Sequence, residues 1–348
     1  MELIYLNHEL LKQEMQEVFK NKNVCDDSIK HVVNSMVQTS LRGVDSHGIH
    51  LFPHYCKKID GGRVSKDPKY SYTQTAASAG YVDAADGFGH HIGSVAIDKA
   101  CEMASETGMA AINVRNSSHF GAAAYFALQA SERGMIGMAF TNADALVKAK
   151  GSTQSFFGTN PICFTTPLQN EEPFCLDMAT SMVSWNKIKN YRREGNEIPD
   201  SWAYDGEGRS VTNPNDARSL EPAGDYKGFG LGMMVDIFCG ILANGLISKD
   251  VMAMYETPLD TARKVSHFFM VIDPTKFLSL NEFRENMQSM VDRIRSMPRQ
   301  EGVEEVMVPG DPEKKTKAIR LKQGIPILKD IFEDFLAISP GFQKAVVE

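Results

Sequence analysis

The chain has 348 residues, 43% of them hydrophobic and 23% charged, which is ordinary globular composition and long enough for two or more domains or one large one. The formal charge of −7 argues against nucleic acid as a partner, since that binding runs on Lys and Arg neutralising phosphates. No run of about 18 uncharged apolar residues could span a membrane, and the opening Met1-Glu-Leu-Ile-Tyr-Leu-Asn7 lacks the basic and apolar regions of an export signal, so a cytoplasmic location is expected. The six cysteines (25, 56, 101, 163, 175, 239) are scattered without a CxxC, and they read as small core residues rather than disulfides or zinc ligands. Eighteen methionines spread over the expected helices and strands read as core filling, and no metal site is expected.

In chain order, residues 8–20 and 27–41 read as helices. In the second, Ile29, Val32, Val33, Met36, Val37 and Leu41 recur at helical spacing, with Asp26 or Asp27 as a cap. Asp60-Gly-Gly62 is a turn, and Tyr81–Ala85 a strand followed by a Gly-rich stretch and a helix to about residue 107. Ala110–Val114 is a short strand, and a helix runs from Ala122 to Arg133. Met135–Thr141, Pro161–Thr166 and Phe174–Met178 read as buried strands, and residues 189–216, rich in polar residues, Gly and Pro, as a long connection. Gly228 to Leu246 reads as an apolar, Gly-rich, buried helix with no polar face except Asp236. Phe268–Asp273 is a strand, Phe283 to Ile294 an amphipathic helix, and Pro326 opens the last helix. Strands and helices mix, so the class is α/β or α+β.

Two histidines sit among small residues: Arg42-Gly-Val-Asp-Ser46-His47-Gly48 and Asn116-Ser-Ser-His119-Phe-Gly121. Small neighbours let a substrate approach an imidazole, which exchanges protons near neutral pH. His119 precedes a helix expected to begin near Gly121, whose free N–H groups suit an anionic group and favour neutral imidazole. His50 and His54 read as surface polarity rather than metal ligands. Gly87-Phe-Gly89-His-His-Ile-Gly93 comes within one residue of a dinucleotide fingerprint, but Arg115, not an acid, follows the next strand. It reads as a structural turn, and no Rossmann domain is expected. Phe157-Gly-Thr-Asn160-Pro161 and Asp177-Met-Ala-Thr-Ser181 put small polar residues at strand ends, with Asn160 expected extended because Pro161 follows it. Tyr226-Lys227-Gly228-Phe-Gly-Leu-Gly232 places a lysine at a Gly-rich helix start, which suits phosphate or carboxylate but lacks P-loop spacing.

In order, Arg42–Gly48, His119-Phe-Gly121, Phe157–Pro161, Asp177–Ser181 with Trp185, Ile198-Pro-Asp-Ser-Trp202, Lys227–Leu231 and Pro309-Gly-Asp-Pro312 resemble the type 2 malate/L-lactate dehydrogenase family, from the first helix to near residue 330. That family also holds ureidoglycolate, sulfolactate and diketogulonate oxidoreductases and a cyclic imino acid reductase. The resemblance implies a non-Rossmann fold, a largely antiparallel sheet wrapped by helices, with helical segments from both ends packed beside it. It implies three parts: residues 1–75 carrying the first histidine, 76–265 binding the cofactor, and 266–348 packing back on the first. It implies NAD or NADP as cofactor, a small 2-hydroxy or 2-oxo acid as substrate, and a homodimer.

Residue by residue, the resemblance puts catalysis on His47 and His119, with the principal proton donor left open, and substrate contacts on Arg42, Ser46 and Tyr55. Its cofactor positions are Asp144, Thr159, Asn160, Pro161, Asp177, Met178, Ala179, Thr180, Lys227, Gly228, Gly310 and Asp311. Many members carry Arg four residues after the first histidine, where this chain has Leu51. Either the substrate carboxylate is held elsewhere, by His50, His54 or Arg42, or the substrate is not of the malate type. The reading is an NAD(P)-dependent 2-hydroxy acid dehydrogenase, with a cyclic imino acid (C=N) reductase or a non-catalytic cofactor-binding homologue as alternatives.

Overall fold

The computed structural model describes residues 2–347. In chain order its regular elements are β1 (Leu3–Leu6), α1 (His8–Asn21), α2 (Asp26–Leu41), α3 (Phe52–Gly61), β2 (Ser71–Ala76), β3 (Ala79–Asp83), α4 (Gly89–Thr107), β4 (Met109–Ser117), α5 (Ala124–Glu132), β5 (Ile136–Thr141), β6 (Val147–Lys148), β7 (Ser155–Phe157), β8 (Ile162–Thr166), β9 (Phe174–Met178), α6 (Trp185–Glu194), β10 (Ala203–Tyr204), β11 (Ser219–Leu220), α7 (Tyr226–Asp236), β12 (Val265–Ile272), α8 (Leu280–Arg295), α9 (Asp311–Gln323), β13 (Ile325–Leu328) and α10 (Lys329–Ile338).

The main sheet has seven strands in the order β2-β3-β4-β12-β5-β8-β9, and every pairing is antiparallel except β3 with β4. It is a mixed fold around a largely antiparallel sheet. Side chains alternate across a strand, and β12 shows the consequence: Phe269 and Val271 enter the core under α4 and α5, while Phe268 and Met270 meet Val235 and Cys239 on the opposite face. β12, which the sequence reading placed in the C-terminal part, is the middle strand of this sheet.

A second core joins the two ends of the chain. Leu11, Phe19, Met36, Leu51, Phe52 and Tyr55 pack with Ile325, Phe332, Phe335 and Phe342. β1 pairs antiparallel with β13 beside that core. A four-stranded sheet, β10-β11-β6-β7, packs with α6 around Ile188, Ala203 and Leu220.

Several local expectations change. The stretch 189–216 is not all connection, because α6 runs to Glu194 and its Ile188 is buried. The helix expected over 228–246 starts at Tyr226, passes into a π-helical turn at Ile237–Ile241 and ends there. It is not buried all round: Met233, Ile237, Ile241 and Leu242 are exposed. Pro326 lies inside β13, at a strand position paired with Tyr5, and the next helix opens at Lys329. α2 begins after Cys25, with Asp26 and Asp27 in its first turn instead of capping it. α3 and α9 were not foreseen, since each is short or weakly patterned and gains its place from tertiary packing.

Candidate active site

His47 closes a 3-10 turn, Asp45–His47, just past α2. The adjoining Gly48 is required by packing, because a Cβ there would meet Ser40 Oγ at 2.2 Å. His47 Nδ1 lies 3.0 Å from Ser46 Oγ, and Asn186 of α6 donates to the Ser46 carbonyl at 3.4 Å. Asp45 is tied back by Arg320 at 2.7 Å.

His119 sits in the loop between β4 and α5, and its neighbours anchor that loop. Asn116, in the left-handed region at φ 53°, donates to Asp83. Ser117 Oγ meets His267 Nε2 at 2.9 Å, and Ser118 Oγ bridges Gly87 and Gly89. Phe120 stacks on His267 with centroids 4.6 Å apart. The His47 and His119 rings face each other at 5.7 Å, both half-buried.

Tyr55, fully buried on α3, places its hydroxyl 2.7 Å from His119 Nδ1 and 3.4 Å from His90 Nε2. Lys58, one turn on, lies over the Tyr55 ring with Nζ 4.7 Å from the centroid, 1% exposed and without a hydrogen-bond partner. Burial holds the His119 pKa well down, helped by Lys58, His47, Arg263 and His90. The cause is therefore chiefly burial, not the helix dipole expected from sequence. α5 begins only at Ala124, and its first N–H there is taken by the Asp177 carboxylate at 2.9 Å. Asp177 is accessible, yet the protein around it pushes its pKa up to about 6. Burial lowers His47 as well.

The strand-end residues come together. Thr180 N–H donates to the Thr159 carbonyl at 2.9 Å, and Met178 pairs with Ile162, next to Pro161. Met178 and Ala179 are half-buried. Gly228 lets α7 start against this wall, since a Cβ would stand 2.7 Å from the Thr180 carbonyl oxygen. Lys227 beside it is exposed and makes no ion pair among the described residues. Gly310, at φ 96°, abuts Cys175 of β9.

Several polar side chains assigned to ligand contact are committed to the protein instead, among them the buried Tyr55, whose hydroxyl is spent on His119, and Thr180, whose Oγ1 donates to the Thr159 carbonyl at 3.1 Å. Arg42 pairs with Glu172, which Lys317 also holds at 3.0 Å. Asp144 is the counterion of Arg263, whose side chain is 2% exposed. Asp311 is 6% exposed, pairs with Arg295 and accepts the Val308 N–H at 3.0 Å. Asn160 is not extended but turns to φ 32° and spends its amide on Ala143 N, Ser248 Oγ and the Gly232 carbonyl. These three bonds offset a conformation that Pro161 disfavours.

His50 and His54 are half-buried, not surface residues, and the Nε2 of each is buried without a partner. Burial and the neighbouring Lys58 and Arg63 push His54 down to about 3. Leu51 is 6% exposed within the core that joins the chain ends. Sequence reasoning missed Lys58, His90, Arg63 and Arg263. The available signal was spacing: Leu51, Tyr55 and Lys58 stand four and three apart and so share one helix face. Arg63 fastens the segment 254–258 by donating to the Met254 and Pro258 carbonyls at 2.9 and 2.8 Å.

The profile of the malate/L-lactate dehydrogenase family matches residues 6–335. The chain belongs to that family. A malate dehydrogenase of Pyrococcus horikoshii is 36% identical over 332 residues, covering 92% of this chain and 91% of the relative. The NAD(+) ureidoglycolate dehydrogenase of Escherichia coli O157:H7 is 28% identical, covering 92% and 93%. In structure, the malate dehydrogenase of Entamoeba histolytica superposes with a TM-score of 0.93 at 26% identity, covering 98% of this chain and 99% of that one.

Proposed function

We propose that this chain interconverts a 2-hydroxy acid and its 2-oxo acid with NAD or NADP, and that His119 and His47 line the substrate pocket. One observation carries the reading: two facing, half-buried imidazoles, one of them anchored through Nδ1 by a buried tyrosine, stand in a family of hydroxy-acid dehydrogenases. A bound nicotinamide supplies or takes the hydride.

The chain's own residues fit such a group. The wall Thr159–Pro161 and Asp177–Thr180 is sealed by backbone bonds, and the α7 N-terminus with exposed Lys227 adjoins it. A helix N-terminus and a lysine together suit phosphate oxygens. Asp144, Asn160, Gly310 and Asp311 act by shaping that wall, since the three side chains among them are already bonded. At the reacting end, His119 Nε2 has no hydrogen-bond partner among the described residues, and it exchanges a proton with the substrate oxygen. His47, with Ser46 on its Nδ1, orients the substrate beside it. Arg42, bonded to Glu172, holds the His47 loop rather than the substrate.

The protein also works as a homodimer. The exposed apolar face of α7 and its π-helical turn, Met233, Ile237, Ile241 and Leu242, is a surface that a second copy covers.

The test is a panel of 2-oxo acids and cyclic imino acids against NADH and NADPH, followed by absorbance. His119→Asn lowers turnover by about 100-fold or more while cofactor affinity changes little. Turnover of imino acids alone would make the chain a C=N reductase, and no binding of either cofactor at millimolar concentration would end the dehydrogenase reading.

A further inference from the structure

We infer that His90 is a positioning residue that sets which nitrogen of His119 carries the proton. The inference rests on the proposed role of His119.

The hydrogen bonds around Tyr55 run in one direction. The Gly121 backbone N–H donates to His119 Nδ1 at 3.4 Å, and a backbone N–H can only donate. His119 Nδ1 therefore holds a lone pair. The Tyr55 hydroxyl, 2.7 Å from the same nitrogen, must donate to it as well. Its oxygen then turns a lone pair toward His90 Nε2 at 3.4 Å, so His90 carries its proton on Nε2.

The far side of His90 agrees. Its Nδ1 is buried with no partner, and in this tautomer that atom is a bare lone pair. The opposite tautomer would bury an N–H without an acceptor, the costlier defect. The chain therefore reads His90 Nε2–H to Tyr55 O–H to His119 Nδ1, leaving the His119 proton on Nε2, where the substrate oxygen must come.

The local sequence keeps this line open. Gly121 sits at φ 78°, and a Cβ there would stand 2.8 Å from His90 Nε2. Gly89 lets α4 begin against the His119 loop, since a Cβ would meet the Ser118 carbonyl oxygen at 2.4 Å. His90, fully buried, is stacked edge-on to Tyr55 at 5.1 Å. The charged and titratable groups facing it are Lys58 of α3, His31 of α2 and His267 of β12, and none of them is hydrogen-bonded to it. Around His119 stand Lys58, His47 and Arg263.

The experiment compares the full-length protein with His90→Phe, which keeps a ring and loses the donor, and His90→Gln, which returns an N–H donor near the place of Nε2. Nitrogen-15 NMR of the histidine rings reads the His119 tautomer without turnover. The wild type shows the proton on Nε2. His90→Phe mixes the tautomers, lowers kcat about 10- to 100-fold, shifts its pH profile and leaves cofactor KM unchanged, the scale seen when a partner that orients a functional imidazole is lost. His90→Gln restores most of the rate.

A His119 proton on Nδ1 in the wild type overturns the inference, as does a folded His90→Phe with unaltered tautomer and pH profile. Should His90→Phe not fold, the wild-type spectrum and the Gln variant decide. Failure of the parent reading looks different: His119→Asn would then keep full turnover, whatever tautomer the wild type shows.

Discussion

His267 is held neutral by its surroundings, and this ties stability to pH. It lies on β12, fully buried, with Nδ1 2.7 Å from Thr141 Oγ1 and Nε2 2.9 Å from Ser117 Oγ. Burial pushes its pKa down to about 3 from an ordinary 6.5. Below pH 6.5 the unfolded chain binds a proton there and the folded chain does not. The contribution is therefore complete above pH 6.5 and is lost as the pH falls toward 3, by about 1.4 kcal/mol per unit. Going from pH 7 to pH 5 costs about 2 kcal/mol through this one residue. His90 and His54, both near 3, and His31, near 4, act in the same direction. Carboxylates held low by ion pairs, such as Glu171, titrate below this window.

Urea unfolding at pH 7 and pH 5 measures the effect in wild type and His267→Gln. The variant is less stable at both pH values, because Thr141 and Ser117 lose good partners. Its loss between the two is nevertheless smaller than the wild type's by about 2 kcal/mol. An equal loss in both proteins would refute the claim that His267 is buried neutral.

Asp144→Ala leaves the buried Arg263 guanidinium without its counterion. Thermal or urea unfolding should show a loss of about 3–5 kcal/mol, and a change under 1 kcal/mol would mean the pair is open to water. Sedimentation at micromolar protein should give a dimer, and Ile241→Lys with Leu242→Lys should shift it toward monomer. Wild-type protein that sediments only as monomer contradicts the proposed use of the α7 face.

Much of the fold was legible because burial imposes a period. α2 shows its apolar stripe in the sequence, and β5, β8 and β9 are short apolar runs bounded by turn residues. The two histidine loops were legible for a related reason. Gly48 and Gly121 mark places where backbone must pass close to other atoms, and the sequence shows them directly. Chain order was enough to place the motifs in a family, and the matched profile agrees.

What the sequence could not decide is how each polar group is spent. Arg42, Asp144 and Asn160 look available in one dimension, but Glu172, Arg263 and Ser248 claim them from positions far along the chain, and Arg295 claims Asp311 from the preceding helix. Lys58, His90 and Arg263 look unremarkable in sequence and become informative only where α3, α4 and the segment before β12 converge on Tyr55. An ion pair or a tautomer depends on distances of a few ångströms between residues remote in the chain, and those distances are set by packing, whereas a helix stripe or a glycine at a close approach is a local condition that one stretch of sequence can meet by itself.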